Sequence, residues 1–273
     1  MDRTLSETPQ PSHGLSPWSM TLLLAVGTVL GLALVTKAAA AADDGFVPIF
    51  NGQDLTGWDG NPDFWSVREG AIRGESTPET PCKRNTFCIW RGNEQVKDGI
   101  LRDFEILVTF RLRNGNSGIQ YRSQDCGEWV VRGYQAEVEN TKGKVGFLYH
   151  EGGRGWLVNV GEKMLIAADG KREVTAKLGD KMELTKDYRE QDWNQYRIVC
   201  QGNHVVHYLN GVQTVDLTDN ELNPIDLVKG RDEKKGALSG IFALQMHAGG
   251  PMLVEFKDIR LKLLKPAAPA AAP

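Results

Sequence analysis

The sequence predicts an all-β protein, a two-sheet antiparallel sandwich or jelly roll with at most one short helix. Three observations carry that prediction. Glycine supplies 30 of the 273 residues, an excess that suits the positive-φ positions of tight turns better than a helical bundle. The segment Phe104 to Arg113 alternates with period two: Phe104, Ile106, Val108, Phe110 and Leu112 share one face, and only Leu107 interrupts the polar one, as in a half-buried antiparallel strand. Strand signals of this kind recur at short spacing with turn residues between them, which is the pattern of a sandwich. A composition 41% hydrophobic and 25% charged is that of an ordinary globular chain and excludes a disordered or multi-span membrane protein. The formal net charge of −3 argues against nucleic acid as a partner, since phosphate neutralisation needs a basic surface.

Taken in order, the elements begin with a segment outside the sandwich. Residues 21–35 form an uncharged, mostly apolar run, followed by Lys37, five alanines and Asp43-Asp44. The run is short for a membrane span, which needs about 20 residues, but matches the apolar region of a secretory signal with small residues at the cleavage site. Residues 1–42 are therefore read as a signal peptide, with a retained membrane anchor as the alternative. Lys37 and the weakly basic start fit a signal poorly. A periplasmic or secreted location is expected, with any membrane contact made through this segment alone. Residues 43–265 are the sandwich domain, and 266–273 (PAAPAAAP) a flexible or polyproline-like tail. In an oxidising compartment Cys82, Cys88, Cys126 and Cys200 are able to pair in three ways; Cys88 and Cys200, set in apolar runs, fit buried free thiols equally well. No C-x-x-C spacing points to zinc.

Within the domain, Gly202-Asn203 and Asn210-Gly211 separate three strand-like runs between Tyr196 and Leu217, a hairpin signal each. A turn at residues 248–251 divides Gly240–His247 from Met252–Leu264. Helix is expected only around residues 172–189, and short. Trp58, Trp65, Trp90 and Trp193 are assigned to the core, whereas Trp129 and Trp156 are candidates for stacking on a sugar.

Function is sought on the polar faces. Period two sends Gln120 and Arg122 to one side of their strand, groups Gln135, Glu137 and Glu139 on a second, and pairs Gln245 with His247 on a third. If these strands share a sheet, one surface carries a guanidinium, carboxylates, an imidazole and several amides. A solvated outer face is the plain alternative. Amides and Arg beside Glu, among glycine-rich turns, favour directional binding of a ligand.

Nine segments run in one order along the chain: FNGQDLTGW (50–58), WSVREGAIRG (65–74), NTFCIWRG (85–92), NSGIQYRS (116–123), GYQAEVEN (133–140), GFLYHE (146–151), DWNQYRI (192–198), LNG (209–211) and GIFALQMHAGG (240–250). In these the chain resembles the family named for 3-keto-disaccharide hydrolysis, or 3-keto-glucoside-1,2-lyase and 3-keto-glucal hydratase activity. The resemblance implies a concanavalin A-like jelly roll whose concave sheet holds a sugar. It also implies a chemistry: a carbonyl at C3 acidifies the C2 proton, its removal expels the C1 oxygen by β-elimination, and water adds across the resulting double bond.

The catalytic candidates are Arg122 or a bound cation on the enolate oxygen, and Glu137 or His247 as proton carriers. The substrate-binding candidates are Asn116, Gln120, Gln135, Tyr149, His150, Glu151, Arg154, Gln245, Trp129 and Trp156. A divalent metal on Glu137, Glu139 and His247 would also suit oxygen ligands and enolate stabilisation; no other cofactor is indicated. Two positions depart from the family: Glu137 stands where a related branch tends to carry Asp, and His150 replaces an Asp before Glu151. The partner is an oxidised sugar or glycoside, with coupling to a sugar 3-dehydrogenase left open. Two alternatives are a non-catalytic carbohydrate-binding sandwich and a two-carboxylate glycosidase, the latter lacking the third acid of E-x-D-x-x-E after Glu137.

Overall fold

A computed structural model describes residues 44–266, apart from 226 and 228, and in them 17 strands form two sheets. The signal or anchor segment and all but the first residue of the Pro/Ala tail lie outside the described residues. The back sheet has ten strands, in spatial order Arg172–Lys177, Glu162–Ile166, Val212–Asp219, His204–Leu209, Asn194–Gln201, Phe104–Asn114, Met252–Leu263, Ala71–Ser76 and Trp65–Arg68, with Val47–Pro48 also paired to Met252–Leu263. The front sheet has seven: Gly155–Val158, Leu148–Glu151, Val131–Glu139, Asn116–Asp125, Ile241–Met246, Thr86–Trp90 and Trp58–Asp59. The described pairs are antiparallel except for Glu162–Ile166 beside Val212–Asp219. The jelly-roll sandwich expected from the turn-rich pattern is the architecture found.

The core lies where the two inner faces meet. Phe104, Ile106, Val108, Phe110 and Leu112 are all fully buried, and Ile119, Tyr121, Tyr134, Ala136 and Val138 meet them from the front sheet. Alternation read from the sequence thus places the apolar side of each strand correctly, because burying one face of each sheet is what stabilises a sandwich. Asn210 and Gly211 both have positive φ, 49° and 84°, the conformation a two-residue hairpin with the strands' own twist requires. The single α-helix is Lys181–Leu184, capped by Asp180, whose carboxylate accepts the N–H groups of Met182 (2.9 Å) and Glu183 (3.2 Å). Among the described residues no helix is long and apolar enough to cross a membrane.

One expectation about an individual residue changes. Trp193 is not in the core: it is half-buried on the outside of the back sheet, with Arg111 4.4 Å and Lys257 4.2 Å from its ring centre. Trp58, Trp65 and Trp90 are buried as expected. The four cysteines are free thiols, three buried and Cys126 exposed; burial pushes the Cys200 thiol up to about 12.

Candidate functional site

The front sheet's outer face carries the polar side chains, and its register sets them in rows. Trp156 lies opposite Tyr149, Tyr149 opposite Gln135, and Gln135 opposite Gln120. In the neighbouring positions Gly118 faces Glu137, and Asn116 faces Glu139. Together with Lys144, Phe147 and Glu151, and with Asn85 and His247 from the other side, these strands enclose a cleft of about 380 Å³, a size that suits a small ligand.

Glu137 sits at its floor, 5% exposed. Asn116 donates an amide N–H to Oε1 (2.5 Å), and Gln135 donates one to Oε2 (2.7 Å). Behind them the donors continue in series. Gln120 donates to the Gln135 carbonyl (2.6 Å), and the Ser123 hydroxyl donates to that of Gln120 (2.7 Å). Burial pushes the Glu137 carboxyl up to about 7 against these two amide donors, and the negative charges of Glu139 and Glu151 push the same way. Each oxygen of Glu137 is faced by an amide donor. A proton gained there finds no acceptor within this amide frame, which favours its presentation to the cleft.

Gly118 makes the frame possible. A Cβ at this position would lie 2.2 Å from Cδ of Gln135, so the glutamine reaches Glu137 only by crossing bare backbone.

At the opposite rim, His247 Nδ1 is 2.6 Å from the Ala248 carbonyl and must donate to it. In the neutral ring this leaves Nε2 with its lone pair. Asn85 accepts the Ala248 N–H (2.9 Å) and donates to Glu151 (2.9 Å). Gln245, fully buried, donates to the second oxygen of Glu151 (3.3 Å), while its side-chain amide oxygen has no partner. Tyr149 is held as a neutral phenol, its pKa raised by burial and by Glu151 and Glu137.

The structure separates several residues that the sequence groups together. Arg122 does not share a side with Gln120. The strand bulges between Tyr121 and Gln124, Arg122 takes φ 47°, and Ser123 takes the place beside Gln120 instead. Its guanidinium is 1% exposed and donates to the carbonyls of Arg102 (2.8 Å) and Gly202 (2.7 Å), tying the front sheet to a turn of the back sheet. His150 and Arg154 also leave the cleft. Arg154 pairs with Asp219 at 2.5 Å and donates to His150 Nδ1 (3.0 Å), and His150 stacks on Tyr134. Burial, followed by the charge of Arg154, lowers His150 to about 3, so it is neutral at physiological pH. Trp129 lies at another edge, donating its indole N–H to Asp59 (2.7 Å).

The metal set does not fit. Among the described residues no group of three His, Cys, Asp or Glu is placed to hold a metal ion. Three cleft residues went unassigned in the sequence: Lys144, Phe147 and Asn85. Phe147 stands one residue before the strand Leu148–Glu151 and in period with Tyr149, whereas Lys144 and Asn85 lie outside the strands with no period to place them.

A jelly roll with a one-sided polar cleft, amides around a buried acid and an exposed tryptophan at the rim, is the architecture of a carbohydrate-active domain. Residues 45–262 match the 3-keto-alpha-glucoside-1,2-lyase-like domain, and the chain belongs to that family. Among solved structures it is similar to one named "Putative glycosyl hydrolase" from Parabacteroides distasonis, at 17% identity and TM-score 0.50, covering 80% of this chain and 99% of that one. It is also similar to a second of that name from the same organism (20%, TM-score 0.45, 81% and 94% covered). A third is the carbohydrate binding module CBM66 from Bacillus subtilis (14%, TM-score 0.45, 76% and 96% covered). The first supports the fold. No curated protein matches the chain.

Proposed function

We propose that the protein cleaves 3-keto-glycosides, with Glu137 taking the C2 proton. The observation that carries this reading is a carboxyl at the cleft floor, buried without a counter-ion, framed by neutral amide donors and poised near 7. A base of that pKa is matched to a carbon acid at neutral pH, and such groups typically contribute 10²–10⁴-fold.

In the proposed step the C2–H bond breaks and its proton passes to a Glu137 oxygen. The electron pair moves through the enolate of the C3 carbonyl to form the C1–C2 double bond, and the C1–O bond breaks. The departing oxygen receives a proton from His247 Nε2 in its protonated form. Tyr149, a neutral phenol, and Lys144 are the donors available to the developing oxyanion, in place of Arg122. Addition of water across C1–C2 by the same two proton carriers, run in reverse, makes the overall reaction a hydrolysis. Export to the periplasm or beyond is part of the same proposal, on the strength of residues 21–42.

The test is to incubate the purified protein with a 3-keto-glucoside and with its unoxidised parent, following release of the aglycone. Release from the oxidised sugar alone is the expected result. Equal release from both would exclude elimination in favour of ordinary glycoside hydrolysis. Binding without release from either would mark a carbohydrate-binding module.

A further inference from the structure

The outer face of the back sheet gathers positive charge. Because Phe104, Ile106, Val108, Phe110 and Leu112 point into the core, Glu105 and Arg111 point away from it. The register then sets Glu255 between Arg111 and Arg73. The strand Met252–Leu263 bulges between Lys257 and Arg260, with Asp258 at φ 48°. The bulge turns Ile259 into the core, 1% exposed, and so keeps Lys257, Arg260 and Lys262 together on the outer face. Strict alternation from Lys257 would send Arg260 and Lys262 inward.

The acids of this face are already matched. Arg111 holds Glu255 (2.6 Å), Arg73 holds Glu75 (2.8 Å) and Arg197 holds Glu105. Lys257, Arg260 and Lys262 have aromatic rings in place of carboxylates. Lys257 is 4.2 Å from the centre of Trp193, and Arg260 and Lys262 are 5.7 Å and 5.6 Å from that of Phe46. A cation on an aromatic face keeps its full charge and can still meet an anion from solvent. Against these three cations, Asp258 alone stands exposed at the bulge. The chain as a whole carries −3, so this excess runs against the rest of the molecule.

The point where the chain enters the domain indicates the partner. The carbonyl of Asp44, the first described residue, accepts from Lys262 (2.7 Å), and Val47–Pro48 pairs with Met252–Leu263. The apolar run of residues 21–35 therefore leads, in sequence, to this corner. A basic sheet face with half-buried Phe46 and Trp193 among its cations has the chemistry of a surface that meets lipid headgroups. We propose that the outer face of the back sheet docks on an anionic bilayer through Lys257, Arg260 and Lys262. This adds a folded surface to the membrane contact expected of the leader segment alone. The cleft of Glu137 opens on the outer face of the other sheet, so docking leaves it facing water.

The test is co-sedimentation of the full chain with vesicles of phosphatidylcholine alone or mixed equally with phosphatidylglycerol. An apolar leader partitions into both, so the ratio between them reads the basic face. At low salt the bound-to-free ratio should be at least about tenfold higher on the mixed vesicles, since each Lys or Arg near an anionic surface adds to the attraction. High salt should shrink that preference. The combined variant Lys257→Gln, Arg260→Gln, Lys262→Gln should bring it to within about twofold of unity. Neutralising three exposed lysines elsewhere, Lys171, Lys234 and Lys235, should leave it intact, with thermal unfolding checked for both variants. Equal partition of the wild type between the two vesicles would overturn the proposal without recourse to any variant. So would a preference that survives in the first variant, or one lost equally in the second, which would mark net charge rather than a face. No lipid preference together with binding to an acidic polysaccharide would put a polymer on this face and overturn the bilayer.

Discussion

The strand Val131–Glu139 carries a buried polar cluster on each of its faces, and the two are built on opposite principles. Toward the back sheet, Tyr134 donates to Asp219 (2.5 Å), which pairs with Arg154 at 2.5 Å, the two partners being 1% and 4% exposed. Charge there is matched by charge, and His150 beside it is kept neutral. Toward the cleft, Glu137 is almost as deeply buried but meets only amides and other acids. The comparison teaches what separates a structural acid from a chemical one in the same sheet. A counter-ion fixes the ionised form, whereas neutral donors with desolvation leave the proton free to come and go.

The largest expected effect breaks the cleft side alone. Glu137→Gln should lower aglycone release from a 3-keto-glucoside by about 10²–10⁴-fold, with sugar binding retained in calorimetry. A variant working at wild-type rate would remove Glu137 as the proton carrier. The matching change on the inner side is Asp219→Asn, which leaves the more distant Glu221 (3.3 Å) as the counter-ion of Arg154. Breaking a buried pair from one side typically costs 3–5 kcal/mol, so a loss of about 3 kcal/mol is expected in denaturant unfolding. The rate per folded molecule should stay near normal; a rate loss without a stability loss would mean that the two clusters are not separate in role.

pH sharpens the same contrast. As a base Glu137 must be ionised, so on its acid side kcat/KM should rise through about pH 7, by about tenfold per pH unit below that value. Stability should move the other way. The carboxyl titrates near 4.5 in the unfolded chain and near 7 in the folded one, so the folded state holds a proton that the unfolded state has lost. The resulting stabilisation is fully present below about 4.5 and is lost as pH rises through about 7, at most about 3 kcal/mol. The difference in unfolding free energy between wild type and Glu137→Gln at pH 5 and pH 8 measures it. A difference independent of pH would show that Glu137 titrates normally.

Much of this arrangement is legible in the sequence. Period two places Gln135, Glu137 and Tyr149 on the cleft side and Phe104 through Leu112 in the core, because a sheet with one buried face fixes every second side chain. The same rule assigns His150 away from Tyr149 and Glu151, and the structure agrees with the rule rather than with a binding role. Arg122 fails for a definite reason. One bulged residue reverses the side of the strand, and nothing in the run Gly118 to Ser123 marks its position. Lys144 sits in a turn and Asn85 just before a strand, so both reach the cleft through tertiary packing that no local pattern encodes.

The smallest effect tests how finely the frame is set. Gly118 has φ outside the left-handed region, so alanine fits its backbone, and the nearest obstacle is the side chain of Gln135, with Cδ 2.2 Å and Cγ 2.5 Å from the new Cβ. Gly118→Ala therefore forces Gln135 aside, removing its donor from Glu137 and its acceptor from Gln120. About a tenfold loss of kcat/KM is expected, about 1.4 kcal/mol. Losing a donor to the ionised form also raises the pKa of the base, so the rise in rate should begin at higher pH than in wild type. Gln135→Ala added to Gly118→Ala relieves the clash without restoring the donor. The double variant should regain stability but keep both the lower rate and the displaced pH profile. Recovery of activity along with stability would show that the glycine serves packing alone and that the amide series behind Glu137 does not set its proton.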